Sequence, residues 1–196
     1  MKLKIATTVA VLATITLSAI TLTAAEQAST SGFKFQVGLT YVSGVSDLAD
    51  KIEANNPRYK VDTILPVGLS LNPYYDFGNG LGIGLSVGPA TVGVGAASLY
   101  IVPIGADVRY TFFRNESVSP YVRAGLQYPF AGGDFIKSSS AGFVGAVGVE
   151  FGHSKRASWG VEGGYNSAEV EVLANAGRPA VKVKPLEFTL SVFVRF

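Results

Sequence analysis

The sequence predicts an all-β chain, an eight-stranded antiparallel, up-and-down transmembrane β-barrel with a short helix in its first outer loop. Three observations carry that reading. Large apolar residues recur at every second position in eight separate stretches, so each stretch has one greasy face and one small or polar face. From Phe77 to Ala106 no residue is charged, yet Gly78, Gly80, Gly82, Gly84, Gly88, Gly93, Gly95, Gly105, Pro89 and Pro103 lie in the run. Each interior glycine costs a helix about 1 kcal/mol and each proline about 3, so this membrane-length segment is no membrane helix. The segments between the stretches, finally, alternate long and short, as outer loops and inner turns of a membrane barrel do.

Composition narrows the chemistry. The chain has 196 residues, 23 of them glycine, only 15% charged, with no cysteine and one histidine, His153. Absent cysteine excludes disulfide frameworks, thiol catalysis and cysteine-ligated metal sites. Lys2 and Lys4, the uncharged run from Ile5 to Leu22 and the small residues Thr23-Ala24-Ala25 read as a cleavable export signal over 1–25. An uncleaved anchor is the alternative, disfavoured by the hydroxyls of Thr7, Thr8, Thr14, Thr16, Ser18 and Thr21. Residues 26–32 form a short N-terminal segment and 33–196 the barrel. Without Lys2 and Lys4 the basic and acidic residues balance, and no nucleic-acid partner is expected.

The strands follow in order. Phe33, Phe35, Val37, Leu39 and Tyr41 alternate with Lys34, Gln36, Gly38 and Thr40; Leu65, Val67, Leu69, Leu71 and Tyr75 with Gly68, Ser70, Asn72 and Asp76; Leu81, Ile83, Leu85 and Val87 with Gly82, Gly84 and Ser86. Tyr100 to Phe112 then opposes Asp107, Arg109 and Thr111. Val122 to Tyr128 opposes Arg123 and Gln127, and Phe143 to Phe151 opposes Glu150. Trp159, Val161 and Tyr165 oppose Glu162 and Asn166, and Phe188, Leu190, Val192, Val194 and Phe196 oppose Glu187, Thr189, Ser191 and Arg195. Connections are expected at 44–62, 78–80, 89–98, 114–118, 131–140, 152–157 and 173–185, which puts both termini on the short-turn, periplasmic side. In the first of them, Ser46, Asp47, Leu48, Ile52 and Pro57 supply a cap, a first-turn acid, an apolar pair and a stop, the pattern of a short helix.

Hydrocarbon offers no water to open backbone groups, so the first strand must pair with the last. Eight strands leave an interior that side chains can fill. A lumen charge cluster of Lys34, Asp107, Arg109, Arg123, Glu150, Glu162, Glu187 and Arg195 follows from the inward faces, with Lys34, Arg109, Arg123, Glu150, Glu162 and Arg195 expected as a mutually paired plug in the inner-leaflet half. Outward aromatics (Phe33, Tyr75, Phe77, Tyr100, Tyr110, Phe112, Tyr128, Phe151, Trp159, Tyr165) are placed as interfacial girdles.

These residues resemble the small outer-membrane β-barrels of Gram-negative bacteria, of the OmpX and OmpA-transmembrane type, over essentially all of 33–196. The sharpest likeness is the last strand, where Phe188, Leu190, Val192, Val194 and Phe196 look like the assembly signal read by the outer-membrane insertion machinery. Val102-Pro103-Ile104-Gly105-Ala106-Asp107-Val108-Arg109-Tyr110 and Ser119-Pro120-Tyr121-Val122-Arg123-Ala124-Gly125 resemble a hairpin of the same family. The resemblance implies an integral outer-membrane location, contact with lipids and lipopolysaccharide, and a role in envelope integrity or adhesion through the outer loops. The alternative is a narrow channel or lateral-exit passage for small hydrophobic molecules, similar to the OmpW type. A lipid A-modifying enzyme is the third reading. It would need a histidine at the outer rim, whereas His153-Ser154 falls in a short periplasmic turn, where a solvated histidine is expected. No catalytic residue, metal or cofactor is assigned. Arg178, Lys182 and Lys184 could meet lipopolysaccharide phosphates. A monomer is expected, with oligomeric state left open.

Overall fold

The computed structural model describes residues 31–55, 58, 63–95, 98–153, 156–173 and 180–196. The export-signal segment, Pro57, Ser154 and Arg178 lie outside the described residues. Alternation becomes β1 (Gly32–Val42), β3 (Val67–Asp76), β4 (Leu81–Val87), β6 (Leu99–Thr111), β7 (Val118–Gly133), β9 (Gly142–Phe151), β10 (Ser158–Asn166) and β13 (Phe188–Arg195). Each pairs antiparallel with its chain neighbour, and β1 closes on β13 with Leu39 opposite Val192 and Gln36 opposite Arg195. Reciprocal Phe35–Phe196 backbone hydrogen bonds of 3.0 and 2.9 Å finish the seam at the short-turn end. The result is a closed eight-stranded barrel.

The two faces separate as the physics of hydrocarbon requires. Leu85, Val108 and Val192 are 56%, 48% and 51% exposed on the outside, whereas Arg123 and Glu162 point inward, Glu162 buried and Arg123 partly so. The aromatic side chains form outward pairs near strand ends: Tyr75 on Phe77, Tyr110 on Phe112, Tyr128 on Phe130, Tyr165 on Phe188, and Phe151 stacked on Trp159 with ring centres 4.4 Å apart. Between β3 and β4, Gly78 and Gly80 adopt φ of 82° and 95°, the positive values a tight turn demands.

Beyond the membrane-spanning zone the long connections are more ordered than the sequence suggests. The 131–140 connection is strand for most of its length: β7 runs on to Gly133, only Asp134 and Phe135 turn the chain, and β8 (Ile136–Ser140) returns. β8 pairs with β11 (Glu169–Val172), and β11 with β12 (Val181–Val183), making a three-stranded extension. Two short segments, β2 (Thr63–Ile64) and β5 (Thr91–Val94), extend the sheet beside β6. The reason is that alternation persists past the hydrocarbon: Val170, Val172 and Val183 are buried while Glu169, Glu171 and Lys182 face outward.

The expected helix is present as α1 (Val45–Asn55), with Asp47 in its first turn, but it starts one residue before Ser46, which therefore lies within the helix rather than capping it; Leu48 N–H donates to the Gly44 carbonyl at 3.2 Å. Its Leu48, Ala49 and Ile52 are buried against Leu99, Ile101, Val172 and Val183. Among the described residues β2 and β12 do not pair with one another; α1 packs on both, standing where a continued β1 would have been. The lumen is therefore apolar at the long-loop end and polar below.

Replacing an outward residue at mid-barrel with a cation tests the orientation. Leu85→Arg should destabilise the barrel refolded in phospholipid vesicles by about 2–4 kcal/mol in urea titration, while Leu85→Phe should leave the midpoint nearly unchanged.

Candidate functional site

The lumen holds three stacked tiers, each built by the inward register of several strands. At the short-turn end Glu150 of β9 is the hub. Its carboxylate takes Arg109 from β6 at 2.5 Å, Arg195 from β13 and the Ser158 hydroxyl from β10. Arg109 also donates to Gln36 (3.0 Å) and Thr111 (3.2 Å), and its guanidinium lies 3.6 Å from the centre of the Tyr121 ring and 5.2 Å from that of Tyr74. Beside this hub, Arg123 of β7 bridges Asp107 (2.9 Å) and Glu162 (2.6 Å), and the Tyr121 hydroxyl donates to Glu162 at 2.7 Å. These ions are nearly water-free, so each carboxylate is held by charge-assisted partners that offset its desolvation.

Bulky rings fit this crowded interior because the facing strands carry glycine. A Cβ on Gly148 would sit 2.4 Å from the Tyr121 ring, and one on Gly160 would sit 2.4 Å from that of Phe193. The inward glycines thus make room for the aromatic floor on which Arg109 rests.

Higher up, the middle tier is neutral. Thr40 bridges Ser70 (3.0 Å) and Ser191 (2.7 Å), and Gln127 accepts from Asn166 while donating to the Gly88 carbonyl at 3.3 Å. A cavity of about 30 Å³ remains between these groups, room for a few waters. The third tier is the apolar cluster beneath α1.

Six of the eight charges expected in the lumen, Asp107, Arg109, Arg123, Glu150, Glu162 and Arg195, are brought together by the barrel. Two stand apart. Lys34 is half-buried near the short-turn mouth and forms no ion pair among the described residues, because Arg109 and Arg195 already flank Glu150. Glu187 is half-buried at the opposite end, beyond the Thr189 and Ser191 level, and also lacks an ion pair among the described residues.

His153 corrects a second expectation. It is 2% exposed rather than solvated: the turn after β9 folds its ring into the mouth, with Nδ1 3.1 Å from Glu150 and Nε2 3.8 Å from Asp76. Neither nitrogen has hydrogen-bond geometry to these carboxylates. Arg195 fixes the turn by donating to the His153 carbonyl at 2.7 Å. Asp76 is also bound by Arg114 at 2.9 Å. Asp76, Arg114, Tyr74, Tyr121 and Ser158 are not among the site residues that the sequence marks. The parity of Tyr74 with Asp76, and of Tyr121 with Arg123, was the available signal; Arg114, in a turn, offered none.

On the outer extension, Lys137 pairs with Glu171 (3.0 Å) and Lys182 with Glu169 (3.2 Å). Hydrogen bonds from Ser138 and Lys137 hold the Glu171 carboxyl below its usual range. The Lys184 ammonium is raised by its contact with the Tyr165 hydroxyl, 3.4 Å away. Among the described residues no group of three or more histidine and acidic side chains could hold a metal ion.

Removing the hub should be severe. Glu150→Ala leaves Arg109 and Arg195 without their buried counter-charge, and unfolding in vesicles should lose about 3–5 kcal/mol; Lys34→Ala, lacking an ion pair, should lose less than about 1 kcal/mol.

The model of the outer membrane protein beta-barrel domain matches residues 12–196. Among solved structures the chain is similar to the outer membrane protein OprG from Pseudomonas aeruginosa, at 14% identity over 87% of this chain and 98% of that one, with a TM-score of 0.59. It is also similar to E. coli outer membrane protein W, at 18% identity over 86% and 99% with a TM-score of 0.50, and to Neisserial surface protein A, at 18% over 85% and 98% with a TM-score of 0.48. No curated protein matches the sequence. With a lipid-facing apolar wall, an ion-paired lumen and a family model spanning nearly the whole chain, this protein belongs to the outer membrane protein β-barrel family and is an integral outer-membrane protein.

Proposed function

We propose that this barrel is a non-enzymatic, non-conducting envelope protein that works through its outer surface, in envelope integrity or adhesion. The observation that carries the reading is the filling of the lumen by side chains at each of its three levels, with one small cavity in the middle. Buried ion pairs occupy the periplasmic half, a hydroxyl and amide layer the middle, and α1 seals the mouth over an apolar cluster. An ion entering this lumen would have to separate Arg109 from Glu150 and Arg123 from Glu162, each separation leaving a buried charge unpaired. The place of His153 argues against lipid A chemistry: the ring sits between Glu150 and Asp76 at the periplasmic mouth, a membrane thickness from the outer-leaflet lipid.

Among the described residues, the three-stranded extension of β8, β11 and β12 is the surface proposed to meet partners. Its exposed charges are paired with one another, so recognition would be of mixed polarity rather than of one sign. Lys184, level with the Tyr165 and Phe188 rings, is suited to lipopolysaccharide phosphate at the outer interface. Phe188, Leu190, Val192, Val194 and Phe196 all face outward along β13, which supports their reading as the assembly signal. The assembly machinery and outer-membrane lipids are the proposed partners, with no nucleic acid and a monomeric barrel.

A second reading rests on one observation, the apolar lining under α1. Leu99, Ile101, Val172 and Val183 would suit a small hydrophobic solute if α1 withdrew, leaving by the unpaired gap between β2 and β12. Planar-bilayer recording separates the two: the purified barrel should show no stepwise conductance, and liposomes containing it should take up no hydrophobic probe faster than empty ones. Uptake that rises in Leu48→Asp, where α1 is loosened, would favour the passage. Lipid A mass spectra should be identical with and without His153→Ala.

A further inference from the structure

The lipid-facing wall is not uniformly convex. Across β7, β9, β10 and β13 lies a shallow, largely apolar hollow of about 420 Å³, whose outward side chains include Phe112, Val122, Val147, Val161 and Leu190, with bare Gly163 at the end away from Phe112. That volume falls in the range of small-ligand sites, roughly 300–1,000 Å³. Gly163 sits between Val147 and Leu190 in register, and a Cβ there would touch nothing within 4 Å; the same holds for Gly145, opposite Tyr165. The missing side chains are therefore not accommodating any part of this protein, unlike the inward glycines.

The medium against this wall is hydrocarbon, and an unfilled hollow forfeits dispersion contacts on one side. Following β10 toward the periplasm, the hollow gives way to the stacked Phe151–Trp159 pair and then to Arg156, which is exposed and in no ion pair among the described residues. From Gly163 to Arg156 the chain advances about 20 Å along the strand, which after tilting is about half of a ~30 Å hydrocarbon core. Mid-membrane hollow, interfacial aromatic pair and cation thus succeed one another at the spacing of an acyl chain, its ester region and its phosphate.

We propose that this face is a binding site for one inner-leaflet phospholipid, with an acyl chain in the hollow around Gly163 and its phosphate on Arg156. The proposal is independent of whether the lumen conducts. The test is native mass spectrometry of the full barrel refolded in phosphatidylethanolamine and phosphatidylglycerol vesicles and then transferred to mild detergent. The wild-type barrel should retain one phospholipid, and Gly163→Leu, which fills the hollow, should lower retention about tenfold. Arg156→Gln should lower it and abolish any preference for phosphatidylglycerol. Ile83→Phe, on the lipid face of the opposite strand β4, should leave it unchanged. Heat-modifiable gel migration reports that each variant is folded, and Arg156→Gln, in a turn, keeps the test valid should Gly163→Leu not assemble. Equal retention by the wild type and both site variants, no retention at all, or a cross-linked dimer formed through Val147→Cys would overturn the proposal.

Discussion

The constraint on which the structure depends is that a sheet in hydrocarbon can leave no backbone donor or acceptor open. Pairing of β1 with β13, register by register from Gln36–Arg195 to Val42–Thr189, meets it. Once the circle closes at eight strands its width is set, and the interior is too narrow for a water channel yet too wide to be left empty. What goes inside then follows from parity. Every residue whose neighbours must face lipid faces the axis, so charges placed deep inside are cut off from bulk water and are held by one another and by inward hydroxyl and amide groups. Glu150, with two arginines and a serine on one carboxylate, and Arg123, with two carboxylates on one guanidinium, are the outcome.

The same closure explains the glycine content. A narrow barrel that carries Tyr74, Tyr121 and Phe193 inward has no volume for side chains opposite them, and Gly84, Gly148 and Gly160 occupy those positions. Glycine weakens a strand through backbone entropy and lost packing. Here that loss is offset by the rings it admits, which in turn give Arg109 a π-face on which to lie. Aromatic floor, cation and carboxylate form one unit, and a substitution at any member is expected to propagate to the others rather than add independently.

Alternation is a property of consecutive residues, so strand membership, facing and the Arg109, Arg123, Glu150, Glu162 and Arg195 cluster could be read from the sequence alone. Properties set by how distant turns and rims fold could not. His153 lies in a turn whose composition resembles any solvated loop, and only the inward fold of that turn between Glu150 and Asp76 buries it. Lys34 shared its parity with the cluster but sits near the mouth, where parity no longer implies exclusion from water. The outer extension is illegible in the sequence for a related reason. Ile136 to Ser140 reads as a polar loop, and its strand character comes from pairing with Glu169–Val172, a partner remote in sequence.

The two halves of the lumen are sealed by different physics, and this bears on how the protein could respond to its surroundings. The periplasmic half is locked by desolvated ion pairs, whose geometry is discrete: a guanidinium is either on its carboxylate or leaves both partners buried and alone. The outer half is sealed by the contact of one short helix through Leu48, Ala49 and Ile52, with β1 ended below it and, among the described residues, no strand filling the space between β2 and β12. An isolated helix of this length is marginal in water, so α1 owes its order to the apolar cluster it covers. Local opening therefore belongs at the mouth, where displacing α1 exposes apolar surface without separating charges, and not at the periplasmic lock. Movement in this barrel is consequently expected to be confined to its outer third, above a floor that stays closed.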